Sequence, residues 1–360
     1  MASHRHPDQA SPGTGPTSRR GRPPRPWWRR AGRFIGFAVL AVLALVLVSA
    51  GLNAALTQYE RTSADPYGRR VAVDGGSVNV VDHATEGPTV VLLSGLGTAA
   101  PALDFGPLVR QLEGYRVVVV EGFGYGYADL TAPDRTARNV SQELHSALEA
   151  AGVEAPYVLG GHSLAGFYLL DYVNRYPGEV AAVVGIDTTV PAFAAAQHDA
   201  PAADGGGIPW DRLAASSGLL RWVLLASPDL ALPGTTAHTT QEREQIHRMT
   251  VWNFANPAVT DETRRIGDNA RRLQDLGFPR DLPVLMLLAQ DTVDESPDWL
   301  ASHEEQLQGV DEHELAVLDG PHYLHWTRSP EMATRITAFL GAHGIAARDG
   351  TGIAAPVAAG

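Results

Sequence analysis

The chain of 360 residues contains no cysteine and no lysine. Without cysteine the protein can form neither a disulfide nor a thiolate site. All of its formal positive charge is therefore arginine, which reflects coding bias and says nothing about mechanism. Metal-binding patterns such as H-E-x-x-H are also missing, and no dinucleotide-binding glycine pattern stands out. The sequence predicts no metal and no cofactor.

Charge is distributed unevenly along the chain. Residues 1–33 hold eight arginines and one acid, Asp8, so this segment carries +7. The whole chain carries −12, which leaves −19 on residues 34–360. Nucleic-acid binding depends mainly on positive charge that neutralises phosphates. A body this acidic therefore argues against a nucleic-acid partner.

An uncharged apolar run occupies residues 34–56. As a helix its 23 residues would extend about 34 Å, enough to cross a bilayer. Arginines precede the run, which predicts a cytoplasmic amino terminus. We expect residues 1–33 to be a disordered Arg/Pro-rich cytoplasmic segment and residues 34–56 a transmembrane signal anchor. The protein would then be a single-pass protein of the cell membrane, with the rest of the chain outside the cytoplasm. A cleaved signal peptide is the alternative, because Ser49-Ala50-Gly51 offers small residues.

Strand and helix patterns alternate along most of the remaining chain, which predicts a mainly parallel sheet covered on both faces. Residues 70–81 alternate around a Gly-Gly turn and read as a hairpin. Further strands are predicted near 89–93, 116–120, 156–160, 180–186, 283–288 and 313–318. Helices are predicted near 104–113, 135–152, 164–176 and 329–343. Between the fourth and fifth of these further strands the alternation stops, and three helical patterns follow at 210–225, 241–254 and 261–276. Residues 344–360 have low complexity and are expected to be a disordered tail.

The most informative segment is the hexapeptide from Gly161 to Gly166, which contains Ser163. It follows an apolar strand pattern and precedes a helical one. A serine on such a sharp turn is exposed at the carboxyl edge of the sheet, and its backbone strain requires small neighbours. The following helix directs its amino-terminal N–H groups at the serine, where an oxyanion would form. This pattern predicts that Ser163 is a nucleophile.

Three more motifs accompany this turn in a fixed order. A buried-type strand precedes Ser94-Gly95-Leu96-Gly97, a second strand runs into the glycine-rich segment 121–129, and Gly320-Pro321-His322 follows the last strand. Together with the turn around Ser163, these motifs resemble the α/β-hydrolase superfamily from about Tyr67 to His343. The final glycine of G-x-S-x-G is here Ala165, and the usual His-Gly of the oxyanion loop is Ser94-Gly95.

The resemblance implies the fold and part of the site. It implies an α/β-hydrolase fold with a core at 67–190 and 281–343, and a helical cap at 191–280. It also implies that the backbone N–H groups of Leu96 and Leu164 form the oxyanion hole. Aromatic residues of the cap could line an acyl pocket, or equally could form the cap's own core; they are Trp210, Trp222, Trp252 and Phe254.

The histidine base and its carboxylate partner follow from the same resemblance. His322 stands in the family's G-x-H position, so we expect it to be the general base. The family usually places the acid after the strand ending at Leu288, but the expected position holds Thr292, with Asp291 one residue early. Some branches place the acid after the preceding strand, where this chain has Asp187. We prefer Asp187 and keep Asp291 as the alternative acid.

These residues predict a serine hydrolase that resembles carboxylesterases and lipases. Ser163 would attack a small-molecule acyl substrate, and an acyl-enzyme would form and be hydrolysed. Hydrolysis of a C–C bond and perhydrolysis on the same triad are alternatives. A non-catalytic, membrane-tethered binding protein with this fold is a third possibility, which the intact serine and histidine disfavour.

Overall fold

The computed structural model describes residues 27–83, 86–197, 210–232 and 237–348. Most of the expected disorder at the two ends therefore falls outside the described residues, as does a stretch of the predicted cap. The chain divides into two units, and the boundary along the sequence falls between Val48 and Ser49.

The first unit contains most of helix α1, which runs over Trp27–Ser63. Its segment Ala31–Ser63 is long and apolar enough, by length and composition, to cross a membrane. The helix extends beyond the predicted run of 34–56 at both ends. Within the described residues it already includes Trp27–Arg33, so the expectation of disorder there is wrong. It continues past Leu56 because good helix formers such as Glu60 and Arg61 follow.

The second unit is built on an eight-stranded sheet in the order β1-β2-β4-β3-β5-β6-β7-β8. The strands are β1 (Arg69–Val73), β2 (Gly76–Asp82), β3 (Thr89–Leu93), β4 (Arg116–Glu121), β5 (Tyr157–His162), β6 (Val180–Ile186), β7 (Val284–Ala289) and β8 (His313–Leu318). The first two pair antiparallel as the predicted hairpin, and β2 also pairs antiparallel with β4. The remaining neighbours are parallel. The predicted α/β-hydrolase fold is confirmed.

The helices follow the predicted order with local differences. After α1 they are α2 (Pro101–Asp104), α3 (Gly106–Val109), α4 (Ala137–Ala151), α5 (Ala165–Arg175), α6 (Pro191–Gln197), α7 (Trp210–Ser217), α8 (Leu219–Ala226), α9 (Thr240–Asn253), α10 (Pro257–Leu273), α11 (Gln290–Glu295), α12 (Asp298–Leu307), α13 (Leu324–Thr327) and α14 (Ser329–Ala342). The helix predicted at 104–113 is two short helices. The pattern at 210–225 is broken at Gly218, whose φ is +81°. The sequence patterns missed α6, α11, α12 and α13.

The core forms two apolar layers, one on each face of the sheet. Residues of β3 alternate between them, with Val91 in one layer and Val90 and Leu92 in the other. Helices α4 and α5 contribute to the first layer, and α14 contributes to the second. Successive side chains of a central strand alternate between two buried layers. Every position can therefore be apolar, which is why these strands read as continuous apolar runs.

The carboxyl-terminal end of the core lies further along the chain than the sequence indicates. Tyr115 donates its hydroxyl to the Ile345 carbonyl at 3.2 Å, and the Arg348 N–H donates to the Gly114 carbonyl at 2.9 Å. The expectation that disorder begins at residue 344 is therefore wrong for 344–348. The apolar side chains of Ile345 and Ala347 pack against the core, which was not visible in so short a pattern. Residues 349–360 lie outside the described part of the chain.

Candidate active site

Ser163 lies on the sharp turn between β5 and α5. Its φ is +55°, a left-handed conformation that is rare for a non-glycine residue and is strained. Two backbone hydrogen bonds hold the turn: the Ser163 N–H donates to the Ile186 carbonyl at 3.1 Å, and the Thr189 N–H donates to the Ser163 carbonyl at 2.8 Å. The end of β6 and the segment after it thus stabilise the strained serine. Its side chain is only partly buried.

The loop after β3 lies directly against this turn. A Cβ added to Gly95 would lie 2.8 Å from the Ser163 Cβ, so only glycine permits so close an approach. Leu96 follows Gly95 in this loop, and Leu164 is the residue that precedes α5. The two residues predicted for the oxyanion hole thus belong to segments that flank Ser163.

His322 and Asp187 lie side by side. His322 Nδ1 is 2.6 Å from an Asp187 carboxylate oxygen, although 135 residues separate them in sequence. Asp187 directly follows β6 and His322 follows β8, and β7 alone lies between these two strands in the sheet. Both residues therefore lie at the same carboxyl edge, which is also the edge that carries Ser163.

The Asp187 carboxylate is fully buried and surrounded by donors. One oxygen accepts from the Ala289 N–H at 3.1 Å and from the Trp299 indole N–H at 2.9 Å. The other accepts from the Thr292 hydroxyl at 2.5 Å, besides facing His322. A buried charge needs such compensation, because it has lost its hydration. The donors include Thr292, which occupies the position where the family usually has the acid.

Asp291, the alternative acid, is turned elsewhere. Its side chain is exposed, and its backbone N–H donates to the Gly320 carbonyl at 3.2 Å. Both Asp291 and Thr292 belong to α11, in which neighbouring residues point about 100° apart. Since Thr292 faces Asp187, Asp291 cannot face the same point.

A second imidazole–carboxylate pair lies behind this site, and sequence reasoning missed it. His325 Nε2 is 2.7 Å from a carboxylate oxygen of Asp104, and both side chains are buried. The His162 ring lies between the two histidines, with centroids 4.5 Å from His322 and 4.7 Å from His325. Burial, aided by the two neighbouring histidines, holds the pKa of His162 well below its usual range. His162 therefore stays neutral beside His322.

A buried polar network links the loop after β3 to helix α10. Glu262 of α10 accepts from the Tyr125 hydroxyl at 2.8 Å and from the Tyr168 hydroxyl at 2.5 Å. Burial raises the pKa of Glu262, against the lowering effect of the nearby Arg135 guanidinium. The Tyr125 oxygen also accepts from the Gly97 N–H at 3.3 Å. Tyr125 thus connects the segment beside Leu96 to Glu262.

A cavity of about 360 Å³ opens beside the loop after β3. Its lining includes Leu96 and Gly97 of this loop and Phe254, Val259 and Thr263 from the segment between β6 and β7. The other aromatic residues predicted for a pocket have different surroundings. Trp252 is buried in an apolar cluster, whereas Trp210 and Trp222 are exposed. Within residues 27–83, 86–197, 210–232 and 237–348, no group of three or more His, Asp or Glu side chains is placed to hold a metal ion.

Comparison with known proteins gives a consistent assignment. A family model described as the alpha/beta hydrolase fold matches residues 88–211. The protein YbdG of Bacillus subtilis (strain 168) is 27% identical over 221 residues, which cover 61% of this chain and 68% of YbdG. Lipase 3 of Moraxella sp. (strain TA144) is 28% identical over 138 residues, which cover 37% of this chain and 42% of the lipase.

Solved structures resemble the second unit in fold. A laboratory-evolved variant of potato epoxide hydrolase superposes with a TM-score of 0.59 at 16% identity, over 76% of this chain and 98% of that enzyme. The sheet order, the strained turn at Ser163 and the family match agree with one another. The second unit therefore has the α/β-hydrolase fold, and residues 88–211 match the model of that family.

Proposed function

We propose that this protein is a serine hydrolase that cleaves an acyl ester through Ser163, His322 and Asp187. The observation that carries the proposal is the 2.6 Å contact between His322 Nδ1 and the buried Asp187 carboxylate, at the sheet edge that also carries a strained serine. This arrangement has the three roles of a catalytic triad: a nucleophile, a base and a carboxylate that orients the base.

The Asp187 contact determines which ring nitrogen of His322 carries the proton. An ionised carboxylate only accepts hydrogen bonds, so His322 must carry its proton on Nδ1. Nε2 is then free to take the proton of the Ser163 hydroxyl as the oxygen attacks the ester carbonyl. The imidazolium next protonates the leaving alcohol, which leaves an acyl-enzyme. Water, deprotonated by the same Nε2, then attacks the acyl-enzyme and releases the acid. The imidazolium returns its proton to the Ser163 oxygen.

Backbone N–H groups of Leu96 and Leu164 would stabilise the oxyanion of both tetrahedral intermediates. Such fixed donors are worth roughly 3–4 kcal/mol each in the transition state. The cavity beside Leu96, at about 360 Å³, falls in the size range of small-molecule sites, and Phe254 and Val259 give it apolar walls. An acyl chain suits such walls, and the likeness to Lipase 3 supports an ester substrate.

Covalent labelling tests the nucleophile. The full-length protein should react with a fluorophosphonate probe, and Ser163→Ala should abolish both labelling and turnover of nitrophenyl esters. Ser302→Ala is the matched control, because Ser302 lies on α12 and donates its hydroxyl to the Asp298 carbonyl. Labelling that persists in Ser163→Ala would overturn the assignment. A probe that labels neither the full-length protein nor the Ser163→Ala variant would favour a binding protein. Labelling of the full-length protein without ester turnover would favour C–C bond hydrolysis or perhydrolysis.

We further propose that α1 remains attached and anchors the catalytic unit outside the cytoplasm. The +7 segment before the apolar run supports this orientation. Contacts within the second unit support retention of the helix, because cleavage near Gly51 would remove Ser49. The Ser49 hydroxyl donates to the Ser217 carbonyl at 2.6 Å and accepts from the Trp222 indole N–H at 2.8 Å.

Protease accessibility tests the topology. Protease added to intact cells should degrade a carboxyl-terminal tag and the catalytic unit, while an amino-terminal tag stays protected. Release of an active protein that begins near Gly51 into the medium would instead establish a cleaved signal peptide.

A further inference from the structure

Helix α8 has an unusual distribution of apolar and charged residues for a surface helix. Its sequence, Leu219–Ala226, contains one charged residue, Arg221, and that residue is buried. Leucine side chains are exposed instead: Leu219 is 55% accessible and Leu225 is 68% accessible. Surface helices of soluble domains show the opposite arrangement, with charges outside and apolar side chains against the core.

Further exposed apolar side chains lie on α7, the helix that directly precedes α8. We call these side chains of α7 and α8 the apolar ridge and define it by six exposed residues: Trp210, Leu213, Leu219, Trp222, Val223 and Leu225. Such a concentration of exposed large apolar side chains on neighbouring helices marks a contact with another apolar phase or partner.

Arg221 points inward because α1 supplies its partners. Its guanidinium donates to Asn53 at 2.8 Å, to Thr57 at 2.8 Å and to Glu60 at 2.5 Å. These three residues are spaced three or four apart and so share one face of the helix. At Gly218, which precedes α8, an added Cβ would lie 2.9 Å from the Asn53 Cβ. Helix α8 is therefore packed closely against α1 at the carboxyl-terminal end of the apolar run and just beyond it.

The contact points on α1 give the level of α8 relative to a bilayer. If the hydrocarbon region begins at Phe34 and is about 30 Å thick, a helix rising 1.5 Å per residue leaves it near residue 54. Trp222 bonds to Ser49, which lies on the hydrocarbon side of this boundary. Arg221 bonds to Glu60, which lies on its aqueous side. Tryptophan is enriched at this interface, and an arginine head group is tolerated just outside it.

We propose that the apolar ridge lies in the interfacial layer of the same bilayer that α1 crosses, so that the protein contacts the membrane through α7 and α8 as well as through its anchor. This inference rests on the proposed anchor. The partner of the ridge is lipid, because α8 packs against α1, and α1 is the helix that enters the bilayer. The apolar side chains of the ridge are then buried in lipid, which is more favourable than their exposure to water.

The absence of native cysteine allows a direct test with single introduced thiols. The full chain is reconstituted in phosphatidylcholine vesicles, with an environment-sensitive fluorophore attached to one of the variants Leu219→Cys, Leu225→Cys, Leu276→Cys or Leu45→Cys. Leu276 is the matched control, since it is an exposed leucine outside the ridge. Leu45 lies in the middle of the apolar run and reports on the anchor alone.

The label at Leu219→Cys and at Leu225→Cys should emit at shorter wavelength than the label at Leu276→Cys. It should also be quenched several-fold more by lipids that carry a nitroxide near the head group. Strong quenching by aqueous iodide at both ridge positions, together with a lipid-embedded label at Leu45→Cys, would refute the membrane contact of the ridge and leave the proposed anchor standing. An aqueous label at Leu45→Cys would overturn the anchor and the ridge with it. Ridge positions are exposed, so unchanged thermal unfolding should verify that each variant folds.

Discussion

Substitution of Asp187 by Asn gives the sharpest test of the proposed triad. The variant keeps the shape of the side chain and replaces one carboxylate oxygen by an NH₂ group. The Ala289 and Trp299 N–H donors both face one oxygen of Asp187 and cannot reverse their role. The amide oxygen of the new side chain must therefore face them, which directs its NH₂ group at Thr292 and His322.

The consequence falls on the histidine. The Thr292 hydroxyl can rotate and accept a hydrogen bond from this NH₂ group, but His322 Nδ1 can accept one only after giving up its proton. The imidazole proton then moves to Nε2, the atom that should take the proton of Ser163. We expect kcat to fall about 10⁴-fold, or about 5 kcal/mol in activation free energy, as for the wrong tautomer in other triads. The overall fold should survive, since the shape and most of the hydrogen bonds remain.

The assay is steady-state hydrolysis of a short nitrophenyl ester, with thermal unfolding measured in parallel. Asp291→Asn is the matched control, because Asp291 is exposed on α11 and its substitution should change kcat by no more than a few-fold. The reasoning is refuted if Asp187→Asn keeps nearly full turnover, or if Asp291→Asn causes the larger loss with an intact fold.

Two further predictions concern neighbours of this site. Because the Thr292 hydroxyl is 2.5 Å from the Asp187 carboxylate, the double variant Asp187→Asn/Thr292→Asp should recover at least about tenfold in kcat over Asp187→Asn, by presenting a carboxylate from the adjacent position; absence of any recovery in a folded double variant would contradict this geometry. Tyr125→Phe removes the acceptor for the Gly97 N–H and should lower kcat about fivefold, with little change in KM, because a neutral hydrogen bond contributes about 1 kcal/mol. Tyr168→Phe is its control, since Tyr168 also donates to Glu262; an equal loss in both variants would mean that the network stabilises the fold without positioning the loop.

Local patterns in the sequence were sufficient to predict most of the architecture. The apolar strand patterns, the Gly-Gly hairpin and the alternation with helices each depend on a few consecutive residues, and the sheet carries strands at those places. The strained turn at Ser163 is equally local, since small neighbours and a strand-to-helix transition are visible in six residues. Short helices were harder to predict: α11 and α12 lack a long periodic pattern, and Gly218 divides one apparent helix into two.

The tertiary structure was needed to distinguish the two candidate carboxylates. Asp187 and Asp291 both follow apolar strands at the same sheet edge, so spacing alone left both open. Their difference arises from packing, because α11 turns Thr292 toward Asp187 and Asp291 toward solvent. The donors Ala289 and Trp299, which make a buried carboxylate tolerable, come from residues about a hundred positions away.

Contacts between distant segments likewise decided the surroundings of the aromatic residues and the second histidine pair. Sequence placed Trp222 and Phe254 in the same class, yet Phe254 lines a cavity and Trp222 bonds to Ser49 of α1. Asp104 and His325 gave no signal, because 221 residues separate them. The sequence by itself determined which residues could do chemistry, through local periodicity and turn composition. Which of them meet was decided by the order of strands in the sheet and by the packing of helices against it, since contacts across a fold depend on all the segments between them.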